Sequence, residues 1–277
     1  MDNRVAIIIP AYKENMTDSE EQSFRQILCV LENYPVVIVC PKSLDILEYN
    51  AIARQFDKTI YRESFADTYF KDIAGYNRLL LSDEFYRRFK QYEFVLIAQL
   101  DAYVFEDKLY EWCAKGYDYV GAPLVGKFID QIFDPSMPMR VGNGGFSLRR
   151  VQAYIDYFQG KKHVFTSKQI VSRISLWKKP YTRIFVWLLM MLGWHNTPKS
   201  VAALWQYNED DFWSGILDNS NYALSKPLPL EALSFAFERF PKELYEITKQ
   251  IPFGCHAWKK YQFEEFWKQY IELSNKK

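Results

Sequence analysis

Between Val5 and Val39 the chain writes a strand, a helix and a second strand, and this order constrains the fold more than any other feature. Val5 to Ile9 is an unbroken apolar run, mostly β-branched, stopped by Pro10. A strand without polar alternation is covered on both faces, the pattern of buried parallel sheets. Ser19 and Gln22 then stand at the spacing of a capping box, and Phe24, Ile27, Leu28 and Leu31 recur at helical spacing. Val36 to Val39 is a second short apolar run, ended by Cys40-Pro41. Parallel strands need a crossover, which is right-handed in nearly all proteins, so the segment predicts a doubly wound α/β sheet.

The remaining pattern extends that sheet. A helical pattern from about Ile73 to Phe89 leads into Phe94 to Leu100, a strong strand that delivers Asp101 at its C-terminal end. In open α/β sheets that end is where ligands bind. Tyr117 to Val120 reads as a short strand closed by Gly121-Ala122-Pro123, and Val141 to Leu148 as a glycine-bearing loop entering a strand. From Val151 the pattern turns helical.

Charge narrows the function. The chain has 35 basic and 34 acidic residues, so as a whole it carries no electrostatic footprint for nucleic acid. Locally the balance fails: between Asp156 and Glu209 there is no acid, while Lys161, Lys162, Lys168, Arg173, Lys178, Lys179, Arg183 and Lys199 fall there. The same interval holds the apolar run Ile184 to Trp194, about half of the roughly 20 residues that a spanning helix needs. It is either a core helix with a solvated basic flank or a segment that inserts shallowly at an anionic membrane surface. Cys29, Cys40, Cys113 and Cys255 form no metal-ligand spacing and read as reduced core thiols. With no secretory signal pattern after Met1, a cytoplasmic location is expected, with peripheral attachment to the inner membrane face as the variant that the apolar run allows.

Segments able to do chemistry punctuate this frame. Val5 to Glu14, "VAIIIPAYKE", is a core strand with a proline stop or the wall of a nucleotide site. In "QLDAYVF", Gln99 to Phe105, Asp101 either caps a turn or offers its carboxylate to a divalent cation beside a diphosphate. In "VGNGGFSLRR", Val141 to Arg150, the glycines allow positive φ and close approach to a ligand, or simply a β-turn. Arg149 and Arg150 read as solvated strand-end charges, with contact to a phosphate as the alternative for either. In "NEDDFW", Asn208 to Trp213, three adjacent acids make a solvated helix N-terminus or supply a general base. In "PFGCHAW", Pro252 to Trp258, His256 is a structural histidine or a metal ligand, and Trp258 packs in the core or stacks on a sugar.

The order and spacing of these segments resemble the GT-A glycosyltransferases, from roughly Val5 to Tyr261 with about His163 to Val201 unmatched. More narrowly, the set is similar to an uncharacterised bacterial domain family found with surface-polysaccharide synthesis. The resemblance implies a GT-A-like, Rossmann-like α/β fold with a mostly parallel central sheet flanked by helices. It implies one domain over 1–277, with 1–125 as the nucleotide-sugar half, 126–277 as the acceptor half, and a basic and apolar insertion at about 158–205. Pro10, Ala11, Tyr12 and Glu14 would lie against the base and ribose, Asp101 and Tyr103 would also face the donor, and Asn143, Gly144, Gly145 and Ser147 would line the donor-sugar and acceptor cleft.

Asp101-Ala102-Tyr103 stands where GT-A enzymes carry Asp-X-Asp and keeps only the first aspartate. Asp101 would hold Mn2+ or Mg2+, with His256 completing the site, or would orient the ribose while basic side chains meet the phosphates. Asp210 would be the base of an inverting transfer, Glu209 would bind acceptor hydroxyls, and Asp211 is the alternative base. The partners implied are a nucleotide-sugar donor and a saccharide or lipid-linked acceptor. Among competing functions, a sugar nucleotidyltransferase needs a glycine-rich phosphate loop after its first strand, which Pro10-Ala11-Tyr12-Lys13 does not resemble. A catalytically silent carbohydrate-binding or scaffolding protein is the other, pointed to by Tyr103.

Overall fold

The computed structural model describes residues 4–126, 140–174 and 180–274. In chain order the N-terminal part runs β1 (Val5–Pro10), α1 (Asp18–Val30), β2 (Val36–Pro41), α2 (Leu47–Arg54), β3 (Ile60–Phe65), a 3-10 turn at Asp67–Phe70, α3 (Ile73–Leu80), α4 (Asp83–Arg88) and β4 (Phe94–Ala98). There follow β5 (Tyr103–Val104), α5 (Leu109–Ala114), β6 (Tyr119–Gly121), β7 (Pro123–Leu124), β8 (Arg140–Val141), β9 (Phe146–Arg150) and α6 (Val151–Gln159). The rest is helical apart from two short strands: α7 (Ser167–Ile174), α8 (Pro180–Met191), α9 (Pro198–Leu204), α10 (Glu209–Asp211) with a π turn at Phe212–Ile216, α11 (Pro229–Ala232), β10 (Ala236–Phe237), α12 (Pro241–Thr248), β11 (Gly254–Cys255), a second π turn at Phe263–Trp267, and α13 (Lys268–Ser274).

The central sheet has six strands in the order β3-β2-β1-β4-β9-β6. β3, β2, β1 and β4 are parallel, and β9 pairs antiparallel with both β4 and β6. The fold is thus α/β with a mixed, mostly parallel sheet flanked by helices, as the sequence predicts. Alternation along each strand explains the unbroken apolar runs. Val5, Ile7 and Ile9 of β1, Val36 and Ile38 of β2, and Phe94 and Leu96 of β4 join one core layer with α1, α2 and α5. Ala6 and Ile8, Val37 and Val39, and Val95 and Ile97 enter the opposite layer with α3, α4 and α6. Each such fully buried Val, Leu or Ile stabilises the fold by about 1.5–3 kcal/mol, so the register of β1, β2 and β4 is strongly specified.

Local chemistry departs from expectation at several points. The capping box of α1 is Thr17 and Glu20, not Ser19 and Gln22: Glu20 Oε2 accepts from the Thr17 amide at 2.8 Å, and the helix starts at Asp18. The helical pattern of Ile73 to Phe89 is two helices, because Ser82 takes the Phe85 amide at 3.2 Å and starts α4 afresh. Of the four cysteines, Cys29 is exposed on α1 and the other three are buried. The basic and apolar insertion folds as α7, α8 and α9, with Lys178 and Lys179 outside the described residues. Trp258 is core: its indole donates to Ser23 Oγ at 2.9 Å, and it packs with Tyr103 and Phe263 in a third cluster beside the sheet.

Candidate functional site

β1 has β2 on one side and β4 on the other, so the chain leaves their C-terminal ends in opposite directions. Such a switch point opens a crevice in an open sheet. A cleft of 680 Å³ lies there, walled by Pro10 and Tyr12 after β1, by Gln99, Leu100 and Asp101 after β4, and by the Phe70–Asn77 segment leading into α3. Asn143, Gly144 and Gly145 approach it ahead of β9, Asn208, Glu209 and Asp210 from the start of α10, and Glu238 and His256 from beyond β10 and β11. Residues spread over most of the chain thus share one surface.

His256 sits at the centre of the polar contacts. Its Nε2 lies 3.2 Å from Asp101 Oδ1 and 3.3 Å from Gln99 Oε1. Its Nδ1 lies 3.0 Å from Asn143 Nδ2 and 3.5 Å from Glu238 Oε1. The Asn143 oxygen accepts from the amides of Gly145 and Phe146, at 3.1 and 3.2 Å, which leaves its NH2 facing the imidazole. Burial would lower the pKa of His256, but its bonds to Asp101 and Glu238 outweigh it and push the imidazole up to about 9. For half-exposed Asp101, burial raises the pKa, and the His256 hydrogen bond and charge bring it below the ordinary carboxylate value.

A second group lies beneath. Arg149 is fully buried and binds Glu209 through two bonds, Nη1 to Oε2 at 2.9 Å and Nη2 to Oε1 at 2.7 Å. It also donates to Tyr86 Oη at 3.0 Å and, from Nε, to Ser147 Oγ at 3.0 Å. Above this pair Asp210 accepts from the Gly144 amide at 3.2 Å and from the Asp211 amide at 2.8 Å. Burial, helped by the Glu209 charge, raises the Asp210 carboxyl to about 7. Asp211 turns the other way and pairs with Arg140.

The structure therefore brings Pro10, Tyr12, Asp101, Asn143, Gly144, Gly145, Glu209, Asp210 and His256 together and leaves other expected residues outside the cleft lining. Tyr103 is fully buried, because β5 pairs with β11 and turns it into the third cluster. Ser147 is buried beneath Gly144, donating to its carbonyl at 3.0 Å, and Ala11 is buried with its amide on Val39. Glu14 is exposed away from the lining. Arg149 is no solvated strand end, and Glu209, expected to meet acceptor hydroxyls, has both oxygens held by it. None of Gly142, Gly144 and Gly145 has positive φ; what they permit is close approach. A Cβ on Gly145 would lie 2.1 Å from His256 Nε2. Gly145→Ala is accordingly expected to push the imidazole aside and cost about 1–3 kcal/mol, the usual range for overpacking; urea denaturation measures it, and an unchanged midpoint would refute the contact.

Gln99, Glu238, Tyr76 and Asn77 belong to the site and were not singled out from sequence. Gln99 adjoins Asp101 and was within reach of the strand-end argument. Asn77, whose Oδ1 accepts the Glu209 amide at 3.1 Å, and Glu238 carry no sequence signal. Among the described residues no group of three or more His, Cys, Asp or Glu side chains is arranged to hold a metal ion by itself.

The sheet order and the cleft at its switch point define the class of fold, that of the GT-A glycosyltransferases. Galactosyltransferase LgtC, solved in complex with donor and acceptor sugar analogs, aligns over 98% of this chain and 95% of its own, with a TM-score of 0.51 and 12% identity. Core-mannan synthase A (CmsA/Ktr4) of Aspergillus fumigatus, solved in a Mn/GDP form, aligns over 76% of this chain and 71% of its own, with a TM-score of 0.43 and 12% identity. No curated protein matches the sequence. Residues 59–256 match the family described as "Protein of unknown function (DUF5672)", and the chain belongs to that family.

Proposed function

We propose that this chain is a glycosyltransferase that moves a sugar from a nucleotide-sugar donor to a hydroxyl of a saccharide or lipid-linked acceptor, in the synthesis of a surface polysaccharide. The observation that carries the proposal is one cleft at the switch point that holds Asp101 and His256 on one wall and Asp210, with its carboxyl near pKa 7, on another. A general base works best when its pKa lies near the operating pH. Asp210 takes the acceptor proton as the hydroxyl attacks the anomeric carbon, and direct displacement inverts that centre. Glu209, held by Arg149, positions Asp210 and does not itself bind the acceptor. Tyr12, 63% exposed at the rim, offers a ring face to the donor base. As a working division, 1–125 supplies the donor wall and 126–277 the acceptor wall of one domain.

The donor set fits a hard divalent cation such as Mn2+ or Mg2+. Asp101 Oδ1 and Gln99 Oε1 lie 3.2 and 3.3 Å from His256 Nε2. Adjacent ligands of an octahedral ion with bonds of about 2.1 Å stand about 3 Å apart. Such ions are commonly held by one or two carboxylates together with substrate phosphates, so a partial protein cage suffices. Bound there, the cation would neutralise charge on the leaving nucleoside diphosphate. For Nε2 to hold the ion, the imidazole would keep its one proton on Nδ1, toward Glu238, and the Asn143 NH2 would have to turn aside.

Release of nucleoside diphosphate from a panel of donors, with Mn2+ and with a chelator, tests the reading. Release with one donor is expected, and its absence with every donor that binds would leave the silent carbohydrate-binding alternative. Asp101→Ala is expected to lower release by about 10²–10³-fold, the loss seen when one preorganised electrostatic partner is removed, with an unchanged circular-dichroism spectrum. Turnover within a few-fold of the parent at saturating donor would remove Asp101 from the site.

A further inference from the structure

From Ile184 onward α8 is wholly apolar, yet among the described residues one side of it is buried and the other is exposed. Val186 is buried, and Trp187 and Met190 pack against the second core layer. On the outer side Ile184 is 71% exposed, Phe185 62%, Leu188 47% and Leu192 82%. Positions i, i+1, i+4 and i+8 share one face of a helix, so these side chains form one stripe. Leu192 and Trp194, the latter 45% exposed, continue it past the helix end, and Val171 on α7, against which α8 packs, is exposed as well. The core-helix alternative weighed from sequence therefore holds for one side only. An exposed apolar patch of this kind on a folded protein marks an interaction surface.

The charges around it choose the partner. Lys161, Lys162, Lys168 and Lys199 are exposed, and no acid occurs between Asp156 and Glu209. Hydrogen bonds tie the lysine-bearing loops to the C-terminal end of α8: Val164 N donates to Asn196 O at 2.8 Å, Phe165 N to Asn196 Oδ1 at 2.7 Å, and Asn196 Nδ2 to Met190 O at 3.1 Å. On the α7 side, Trp187 Nε1 donates to Ser167 Oγ at 3.0 Å, next to Lys168. A symmetric dimer through this face would set two lysine-bearing surfaces against each other. Among the described residues no helix is long and apolar enough to cross a membrane.

We propose that α8, flanked by these lysines, seats the protein on an anionic lipid bilayer, lying in the interface with its outer stripe among the acyl chains. An amphipathic element in the interface plane combines these two contributions, apolar insertion and attraction to anionic headgroups. α9 begins just after this surface and ends at Leu204, and Asn208 shortly beyond lines the cleft. Docking thus presents the acceptor wall near the membrane, although the surface stands whether or not the cleft transfers sugar.

Co-sedimentation with vesicles of phosphatidylcholine, alone or with about one-third phosphatidylglycerol, tests the proposal without any enzyme assay. The protein is expected to pellet with the anionic vesicles only, with binding falling about tenfold between 0.1 and 1 M salt as the Debye length shrinks from about 10 to about 3 Å. Leu188→Gln with Leu192→Gln, at exposed positions, is expected to abolish pelleting with no change in melting temperature. Lys161→Glu with Lys162→Glu is expected to weaken it by about 10²–10³-fold, because each reversal changes two charges near the surface. Pelleting with neither vesicle, equal pelleting with both, or undiminished binding by the leucine variant would each overturn the proposal.

Discussion

Asp210→Asn is expected to lower kcat by about 10²–10⁴-fold, the share of catalysis a positioned base supplies, while the KM for the donor changes little. An interaction made mainly in the transition state shows in kcat and not in ground-state binding. Under the proposed function the parent protein should gain activity as pH rises through about 7, where burial and Glu209 place the Asp210 carboxyl, and the variant should lack that limb. Stability runs the opposite way. The folded pKa of Asp210 lies above the ordinary aspartate value of 3.8, so its contribution is complete below that value and is lost as pH rises through about 7. Asp210→Asn, which cannot ionise, should therefore be at least as stable as the parent at pH 8, so lost activity there is not lost fold. pH–rate profiles and melts of both proteins settle it. If Asp211→Asn carries the kinetic loss instead, the base lies one residue on, and the contact between Asp211 and Arg140 must break for catalysis.

Arg149→Met should be among the most destabilising single changes in the chain. It strips Glu209, which is 4% exposed, of both its strong bonds and leaves Tyr86 Oη and Ser147 Oγ without their donor. Breaking a buried ion pair from one side typically costs about 3–5 kcal/mol, whereas replacing both partners by apolar residues of similar size is close to neutral. Arg149→Met combined with Glu209→Leu is expected to recover most of the loss in urea denaturation. The same double change removes the Glu209 charge that raises Asp210 together with the smaller, opposing effect of Arg149, so its pH–rate limb should move to lower pH. A single-variant loss below about 1 kcal/mol would mean that Glu209 finds another partner.

How much of this could be read from the chain depends on where the information is stored. β1, β2 and β4 are legible because strands covered on both faces must be apolar throughout, and theirs are. β3, at the sheet edge, is not: its sequence IYRESF exposes Tyr61 and Arg62, and nothing in it departs from a loop. At the site, Asp101 is legible because a strand end delivers it. Asn143, Gly144, Gly145, Asp210 and His256 gather in the cleft from segments whose chain order marked them. Tyr103 misleads because spacing along the chain says nothing about side-chain direction: it stands opposite Cys255 in the β5–β11 pair and faces inward. The Arg149–Glu209 pair and Glu238 are invisible for a related reason. Each is made by pairing across the fold, and an arginine before a helix looks the same whether solvated or buried.

The cleft also has a place in time. Gln99 and His256 meet at 3.3 Å from positions 157 residues apart, and the glycines between them reach the site only once β9 has paired with β4. Contacts of such separation form late, because the entropy of closing the loops is lost before they return anything. A chain stalled with β1, β2 and β3 already paired would hold secondary structure, yet lack the cleft. Under the proposed function, a nucleoside diphosphate would bind finished molecules alone and by mass action would draw the folding equilibrium toward them.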